Sequence, residues 1–322
     1  MAAPALSVIL VATHDYTLVR SAVRNLTRQR DVDVELVIAA PQALAESITA
    51  QDRGDLESFA AWQHVVIPDG TPFDEARARG VRAARAPIVA FTEDHSFPEP
   101  GWAAALVAAF TDGVSVVGPV VQNANPGSAV SWANFLLEYG EWMPPARRHG
   151  HAHLPGHNSA YRRDVLLALG DGLTRMIEAE SVLHWALAGE GHRLAQEPGA
   201  VTRHTNFSRF APSVELRYHL GRQFAARRSA QWSIGRRAAY AVAFPLVALV
   251  RVARVARMGV GSPDLPAVAK ALPTVAVMVT VSSVGEAVGY VTRQAGSSAA
   301  YLSDIEHDRR RFMRAEDLDR VH

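Results

Sequence analysis

The chain has 322 residues, 48% of them hydrophobic, with 33 basic and 32 acidic side chains for a formal charge of +1. That composition can bury one large core plus an appendage, and it excludes a disordered tail and a globally basic nucleic-acid binder. With no cysteine there is no disulfide, thiolate metal site or cysteine nucleophile. Lys270 is the only lysine, so the positive charge is arginine, which suits bidentate phosphate and carboxylate contacts but equally reflects GC-rich coding. Residues 1–12 have no basic n-region, and the apolar run over 7–12 is too short for a signal h-region, so the expected compartment is the cytoplasm.

Residues 6–12 are a continuous apolar run with β-branched side chains, the mark of a strand buried on both faces of a parallel sheet, and Thr13-His14-Asp15 ends it. Leu18, Ala22, Val23 and Leu26 then recur at helical spacing, with Arg20, Arg24 and Arg28 on another face. Further on, 34–40 reads as a second strand, 41–50 as a helix, 64–67 as a third strand, and 73–86 as a helix entered through an Asp69-Gly70 turn. Strands alternating with helices argue a doubly wound α/β sheet.

Residues 87–91 have strand character and run into Glu93-Asp94-His95, after which Pro98, Pro100 and Gly101 mark a turn before an Ala-rich helix. The polar cluster thus lies at a strand's carboxyl end, where open α/β sheets bind ligands. Side by side, the three residues offer oxygen and nitrogen to a divalent cation able to neutralise a diphosphate. The competing reading is an acidic loop that caps the next helix, with Glu99 at its positive end.

Residues 114–121 form another strand and 122–128 a loop. In Arg147-Arg148-His149-Gly150-His151-Ala152-His153 the alternate histidines belong to a flexible segment, a poor preorganised metal site. Gly156-His157-Asn158-Ser159 reads as a polar turn opening a helix, with backbone N–H groups available to a phosphate or sugar hydroxyl. A helix over 177–187 begins with Glu178 and Glu180, which either complement its dipole or supply a general base. A short strand pair then ends at His204, placed to converge with the acidic cluster.

In order and spacing, these pieces over residues 6–206 resemble an inverting family 2 glycosyltransferase with the GT-A fold. The resemblance is carried by the Ser7-Val8-Ile9-Leu10-Val11 strand with its Thr-His-Asp turn, and by Ala76-Arg77-Ala78-Arg79-Gly80 ahead of the 86–91 strand. It is strongest at Glu93-Asp94-His95 with Phe97-Pro98-Glu99-Pro100-Gly101-Trp102, and continues in Gly156-His157-Asn158-Ser159-Ala160-Tyr161-Arg162 and in Gly191-His192-Arg193-Leu194 before His204.

The resemblance implies metal-dependent, inverting transfer of a sugar from a nucleotide-diphosphate donor to a hydroxyl acceptor, in cell-envelope polysaccharide, glycolipid or glycosylated-metabolite synthesis. Because Glu93-Asp94-His95 stands in place of the family's Asp-x-Asp motif, it implies Asp94, His95 and His204 at a Mn2+ or Mg2+ ion, histidine favouring Mn2+. It implies Thr13, His14, Asp15, Glu93, Asp94 and Asn158 in nucleotide-sugar binding, and Glu180 as catalytic base with Glu178 as the fallback. Two departures stand out. The second strand lacks the Asp that reads the nucleobase, and the metal triplet has one aspartate, which keeps a catalytically inactive sugar-nucleotide binder in play.

From residue 215 to 237 arginines interleave with Tyr218, Phe224 and Trp232; Gln223-Phe224-Ala225-Ala226-Arg227 falls one residue off the Gln-x-x-Arg-Trp motif of processive synthases and lacks its Trp. Apolar stretches over 238–250 and 271–284 are each shorter than the roughly 20 residues that span a bilayer. With Arg251, Arg254 and Arg257 recurring every third residue, they suit helices lying in a membrane interface or packed on protein. Residues 304–322 read as a solvated charged helix. The expected organisation is a catalytic domain over 1–210, a helical region over 211–296 and a charged tail over 297–322. The expected place is the inner face of the cytoplasmic membrane, with a lipid-linked acceptor among the candidates and no nucleic-acid partner. A non-enzymatic membrane scaffold and a nucleotidyltransferase are the other readings. The latter should carry a Gly-rich basic phosphate loop that Thr13-His14-Asp15 does not supply.

Overall fold

The computed structural model describes residues 3–111, 113–148, 150–305 and 309–318, the side chains of 299, 300, 303 and 304 excepted. The chain forms two compact units, Met1–Gln122 with Trp142–His204, and Asn123–Glu141 with Thr205–Arg320.

The first unit begins with β1 (Leu6–Val11), α1 (Arg20–Leu26), β2 (Val34–Ala40), α2 (Ala43–Glu46), α3 (Ala50–Glu57), β3 (Ala61–Val66), α4 (Phe73–Ala83) and β4 (Ile88–Thr92). β1 pairs in parallel with both β2 and β4, and β2 with β3. Every residue of β1, β2 and β4 is buried, which explains why they are apolar apart from Ser7, Glu35 and Thr92. The helix expected over 41–50 is instead two short ones. Thr49 caps α3 in a capping box with Asp52, whose buried carboxylate also accepts two hydrogen bonds from Arg20, at 2.8 and 2.9 Å.

Buried Glu35 lies near the amino end of β2. It accepts from Ser7 Oγ at 2.5 Å, Gln63 Nε2 at 2.9 Å and the Arg85 amide at 2.8 Å, while the Ala86 amide donates to Ser7. The network locks the α4–β4 connection and so fixes where β4 begins. Gly80 lets α4 lie against β1: a Cβ there would come within 2.6 Å of Ile9 Cγ2.

The remaining strands make the sheet mixed. β5 (Ser96–Pro98), α5 (Trp102–Ala108) and β6 (Val114–Asn123) are followed by α6 (Ala129–Glu138) of the second unit, then β7 (Ala160–Arg162), α7 (Arg163–Leu167), α8 (Leu173–Glu178), α9 (Glu180–Gly189) and β8 (Arg193–His204). The order is β3-β2-β1-β4-β7-β6-β8-β5, with β7 antiparallel to β4 and β6, and β5 antiparallel to β8. The doubly wound mixed sheet is as expected, with four local corrections. Residues 96–98 form an edge strand inside what reads as a turn. The expected strand pair before His204 is one strand of 12 residues. Gly156–Asn158 is a single 3-10 turn leading into β7, not directly into a helix. The helix expected over 177–187 breaks at Ala179, whose φ of −116° and ψ of 64° leave the helical region.

The second unit is helical: α6, α10 (Phe210–Arg228), α11 (Ile234–Val242), α12 (Phe244–Met258), α13 (Leu265–Thr292), α14 (Ser298–Ile305) and α15 (Ala315–Leu318). α10 and α13 cross at backbone contact, because a Cβ on Gly221 or Gly285 would fall within 2.1 or 2.2 Å of the Ser282 or Tyr218 carbonyl oxygen. Arg217, buried in α10, donates to Asn134 Oδ1 at 2.6 Å and Glu138 Oε1 at 2.7 Å, tying α10 to α6.

The apolar stretch over 271–284 proves to be part of the 28-residue α13, which runs through Pro273 and is long and apolar enough to cross a membrane; about a third of that stretch is buried in the protein. α11 and α12 pass the same test as a pair but bend by 58° between them. In place of one charged helix over 304–322, residues 309–312 form a 3-10 turn whose Phe312 is buried against Phe207 and accepts backbone bonds from Ser208 and Arg209. Residues 306–308 and 319–322 of that expectation lie outside the described residues, as does His149.

Candidate active site

β4 delivers Glu93-Asp94-His95 to the carboxyl edge of the sheet, and the β5–β8 pairing sets Ser96 opposite His204. That register carries a residue from far along the chain to the end of β4. The His95 and His204 rings meet edge to face, 4.6 Å between centroids, and both are buried. Glu93 completes the group: one ligand atom from each of Glu93, His95 and His204 lies within 4.8 Å of the others.

Asp94 plays a different geometric part from the one sequence assigned to it. Its Oδ1 lies 2.5 Å from His95 Nδ1. The imidazole N–H donates there, and His95 Nε2 faces Glu93, 3.8 Å from Oε1. The three-ligand group therefore contains Glu93 where the sequence reading put Asp94. Asn158 Nδ2 donates to Glu93 Oε2 at 3.0 Å, and His204 Nε2 is 3.4 Å from the same oxygen. Burial acts to raise the pKa of Glu93, but His95 first and then His204 outweigh it and hold the carboxyl well below its usual range.

The second carboxylate is Glu180, the first residue of α9. His157 lies between the two acids, with Nε2 at 3.0 Å from Glu180 Oε1 and Nδ1 at 3.6 Å from Glu93 Oε1. Gly156 makes this approach possible, since a Cβ there would come within 2.3 Å of Glu180 Cδ. Buried Arg77, on α4, reaches to 3.7 Å from Glu180 Oε1 and lies over the Phe91 ring.

Burial, opposed by Arg77 and reinforced by Glu93, pushes the Glu180 carboxyl up to about 8. His157, half-exposed beside the two acids, is pushed down by desolvation and then by Arg77, which favours the neutral ring. A protonated Glu180 thus donates to His157 Nε2, and His157 Nδ1–H faces ionised Glu93. Behind the turn, buried His184 accepts from the Leu154 amide at 3.2 Å and so donates through Nε2 to Tyr161 Oη at 2.9 Å, anchoring the residue ahead of Pro155.

Glu178 is exposed on α8, before the break, whereas Glu180 enters the cluster. Thr13, His14 and Asp15 follow β1, which runs beside β4 with Leu10 opposite Thr92, so they share the cluster's sheet edge. Asp15 spends one carboxylate oxygen on the Thr17 amide, at 2.9 Å. Sequence reasoning assigned no role to Arg77 or His157. Each lay inside a quoted motif, but only the fold shows them facing a carboxylate.

Residues 58–170 match the family model described as Glycosyl transferase family 2. Among solved structures, the fold is shared with the mannosyltransferase PcManGT from Pyrobaculum calidifontis, solved in complex with GDP-Man and Mn2+. The match has 16% identity and a TM-score of 0.51, and covers 95% of this chain and 81% of that one. Glucosyl-3-phosphoglycerate synthase from Mycobacterium tuberculosis, solved with Mn2+, UDP and glucosyl-3-phosphoglycerate, matches at 19% identity and a TM-score of 0.38 over 63% of this chain and 72% of that one. No curated protein matches.

Proposed function

The chain carries a family 2 glycosyltransferase domain on a GT-A-type sheet, and on that premise we propose that it transfers a sugar from a nucleoside-diphosphate donor to a hydroxyl acceptor with inversion at the anomeric carbon. One observation carries the reading: Glu180 is held across a single imidazole from Glu93, which belongs to a two-histidine cluster. As the acceptor oxygen bonds to the anomeric carbon, Glu180 takes its proton and the bond to the diphosphate breaks on the opposite face. Arg77 beside Glu180 stabilises the ionised form this step needs, and Gly156 leaves room for the acceptor-facing carboxylate.

A carboxylate with two imidazoles fits a divalent transition cation such as the Mn2+ present in the GDP-Man complex of PcManGT. Glu93, His95 and His204 would hold it, and when bound it would supply charge neutralisation for the departing diphosphate. Asp94 orients His95 and Asn158 orients Glu93. Thr13, His14 and Asp15 flank the nucleotide.

Peripheral membrane association is supported by the second unit. Ile234, Val242, Leu246 and Leu249 are 78, 79, 63 and 66% exposed, α11 buries no residue, and exposed Arg236, Arg254 and Arg257 accompany them. Apolar side chains with arginines on a bent helix pair suit the interface of an anionic leaflet, and such a position suits a lipid-linked or membrane-proximal acceptor at the cytoplasmic face.

The test is donor binding and hydrolysis across a panel of nucleotide sugars with Mn2+, Mg2+ or chelator, on wild type, His204→Ala and Glu180→Gln. One donor bound only with metal, lost in His204→Ala and kept without turnover in Glu180→Gln, is the expected result. Binding of no donor under any metal would sink the reading.

A further inference from the structure

In the second unit, α10, α11, α12 and α13 enclose a cavity of about 40 Å³ whose polar wall is Arg228, Arg251, Ser283, Glu286 and Tyr290. Its charges do not cancel. Glu286, buried in α13, is hydrogen-bonded by Arg251 Nη1, which leaves Arg228. The Arg228 guanidinium lies over the rings of Phe224, Trp232 and Tyr240, at 5.6, 5.0 and 5.3 Å, and donates to Tyr290 Oη at 3.4 Å. Among the described residues no carboxylate pairs with it.

The hydroxyl groups point to an acceptor-rich guest. Ser283 is fully buried and its Oγ has no hydrogen-bond partner, a group that costs stability unless something occupies the cavity beside it. Tyr290 accepts from Arg228, so its own proton is free to donate, and burial followed by the Glu286 charge raises its pKa and keeps that proton on. One surplus cation with two hydroxyl donors matches a small monoanion bearing several oxygens.

The surroundings identify what carries that anion. Phe244 and Val247 form the apolar wall, and α12 continues from them to exposed Leu246, Leu249 and Val250. An anionic group entering beside such a ridge brings hydrocarbon with it. We infer that the cavity takes a phosphate oxygen of an anionic phospholipid, held by Arg228, Ser283 and Tyr290, with the acyl chains along α12. The inference rests on the membrane position proposed above and adds a defined headgroup site to it.

The test is sedimentation of the full chain with vesicles of phosphatidylcholine alone or mixed with phosphatidylglycerol. Wild type partitions to the mixed vesicles. Loss of one diffuse interfacial charge, Arg254→Gln, weakens partition about fivefold, whereas Arg228→Gln weakens it by more than about tenfold because directed, charge-assisted bonds are lost. Ser283→Ala changes no charge and is the decisive variant: it weakens partition about threefold or more while the melting temperature holds or rises, since an unpaired buried hydroxyl is gone. Equal losses for Arg228→Gln and Arg254→Gln, with Ser283→Ala binding like wild type, would overturn the headgroup site and leave the membrane reading standing. Failure of wild type to bind mixed vesicles would overturn both. Displacement from the vesicles by millimolar glycerol phosphate would assign the cavity to soluble phosphate and overturn the lipid.

Discussion

His157 Nε2 lies 3.0 Å from Glu180 Oε1 while the other nitrogen of the same ring faces Glu93, so one neutral imidazole separates a carboxylate held ionised from one held protonated. In the proposed transfer Glu180 is the base, and a carboxyl raised to about 8 is a base only above that value. The rate of sugar transfer should therefore climb about tenfold per pH unit below the Glu180 pKa and level off above it. Glu180→Gln should flatten the profile and lower kcat by about 10²- to 10⁴-fold. A wild-type profile that is already flat from neutral pH upward would contradict the assignment.

Metal affinity should separate the ligands from the residue that orients them. His204→Ala and Glu93→Gln remove donors of the cluster and should abolish Mn2+ binding measured by calorimetry. Asp94→Ala removes the carboxylate that accepts from His95 Nδ1, and should weaken binding by about 10- to 100-fold. The reverse ranking would place Asp94 on the ion.

Gly156→Ala should damage chemistry selectively. Its methyl group would come within 2.3 Å of Glu180 Cδ and force that carboxylate away. The expected outcome is a kcat lowered by about 10²-fold, in line with the cost of a 1 Å misplacement, with the dissociation constant of the donor unchanged. Equal loss of donor affinity would mean that the turn, not Glu180, had moved.

Acid stability should depend on Asp52. Arg20, and next to it Thr49, hold this buried carboxyl far below its ordinary value, against the burial that would raise it. A depressed folded pKa contributes stability that is complete above the unfolded value of about 3.9 and is lost as pH falls through the folded one. Asp52→Ala, which strands Arg20 and removes the capping box, should cost about 3 kcal/mol at neutral pH in denaturant unfolding, and much less near pH 2. A loss unchanged by acid would assign the effect to packing.

Much of this was legible before the fold was known, because it is local. β2 matched the strand expected over 34–40 residue for residue, and Glu93-Asp94-His95 followed a strand because five buried residues can be recognised without partners. His204 and Glu180 were reached through spacing in a resemblance. What stayed hidden depends on residues far apart in sequence. β5 exists only because Thr202, Arg203 and His204 pair with it, and its own Pro98 argues for a turn. The break at Ala179 has no Gly or Pro to announce it. Arg77 looks like one more arginine of an Ala-Arg helix until α4 is laid on β1. α13 reads as a short apolar stretch because Lys270 and Glu286 bound it, yet the helix carries both.

The register that sets Ser96 opposite His204 also determines when the site comes into being. His95 is made early and His204 more than a hundred residues later, so during synthesis the sheet's centre can close while the cluster is still one histidine short. Only when β8 adds to β5 does the third ligand arrive. A cation bound there joins the first half of the unit to its last strand, and it should slow the fraying of a three-residue edge that few hydrogen bonds otherwise hold. The reaction centre is in that sense also the clasp of its own sheet.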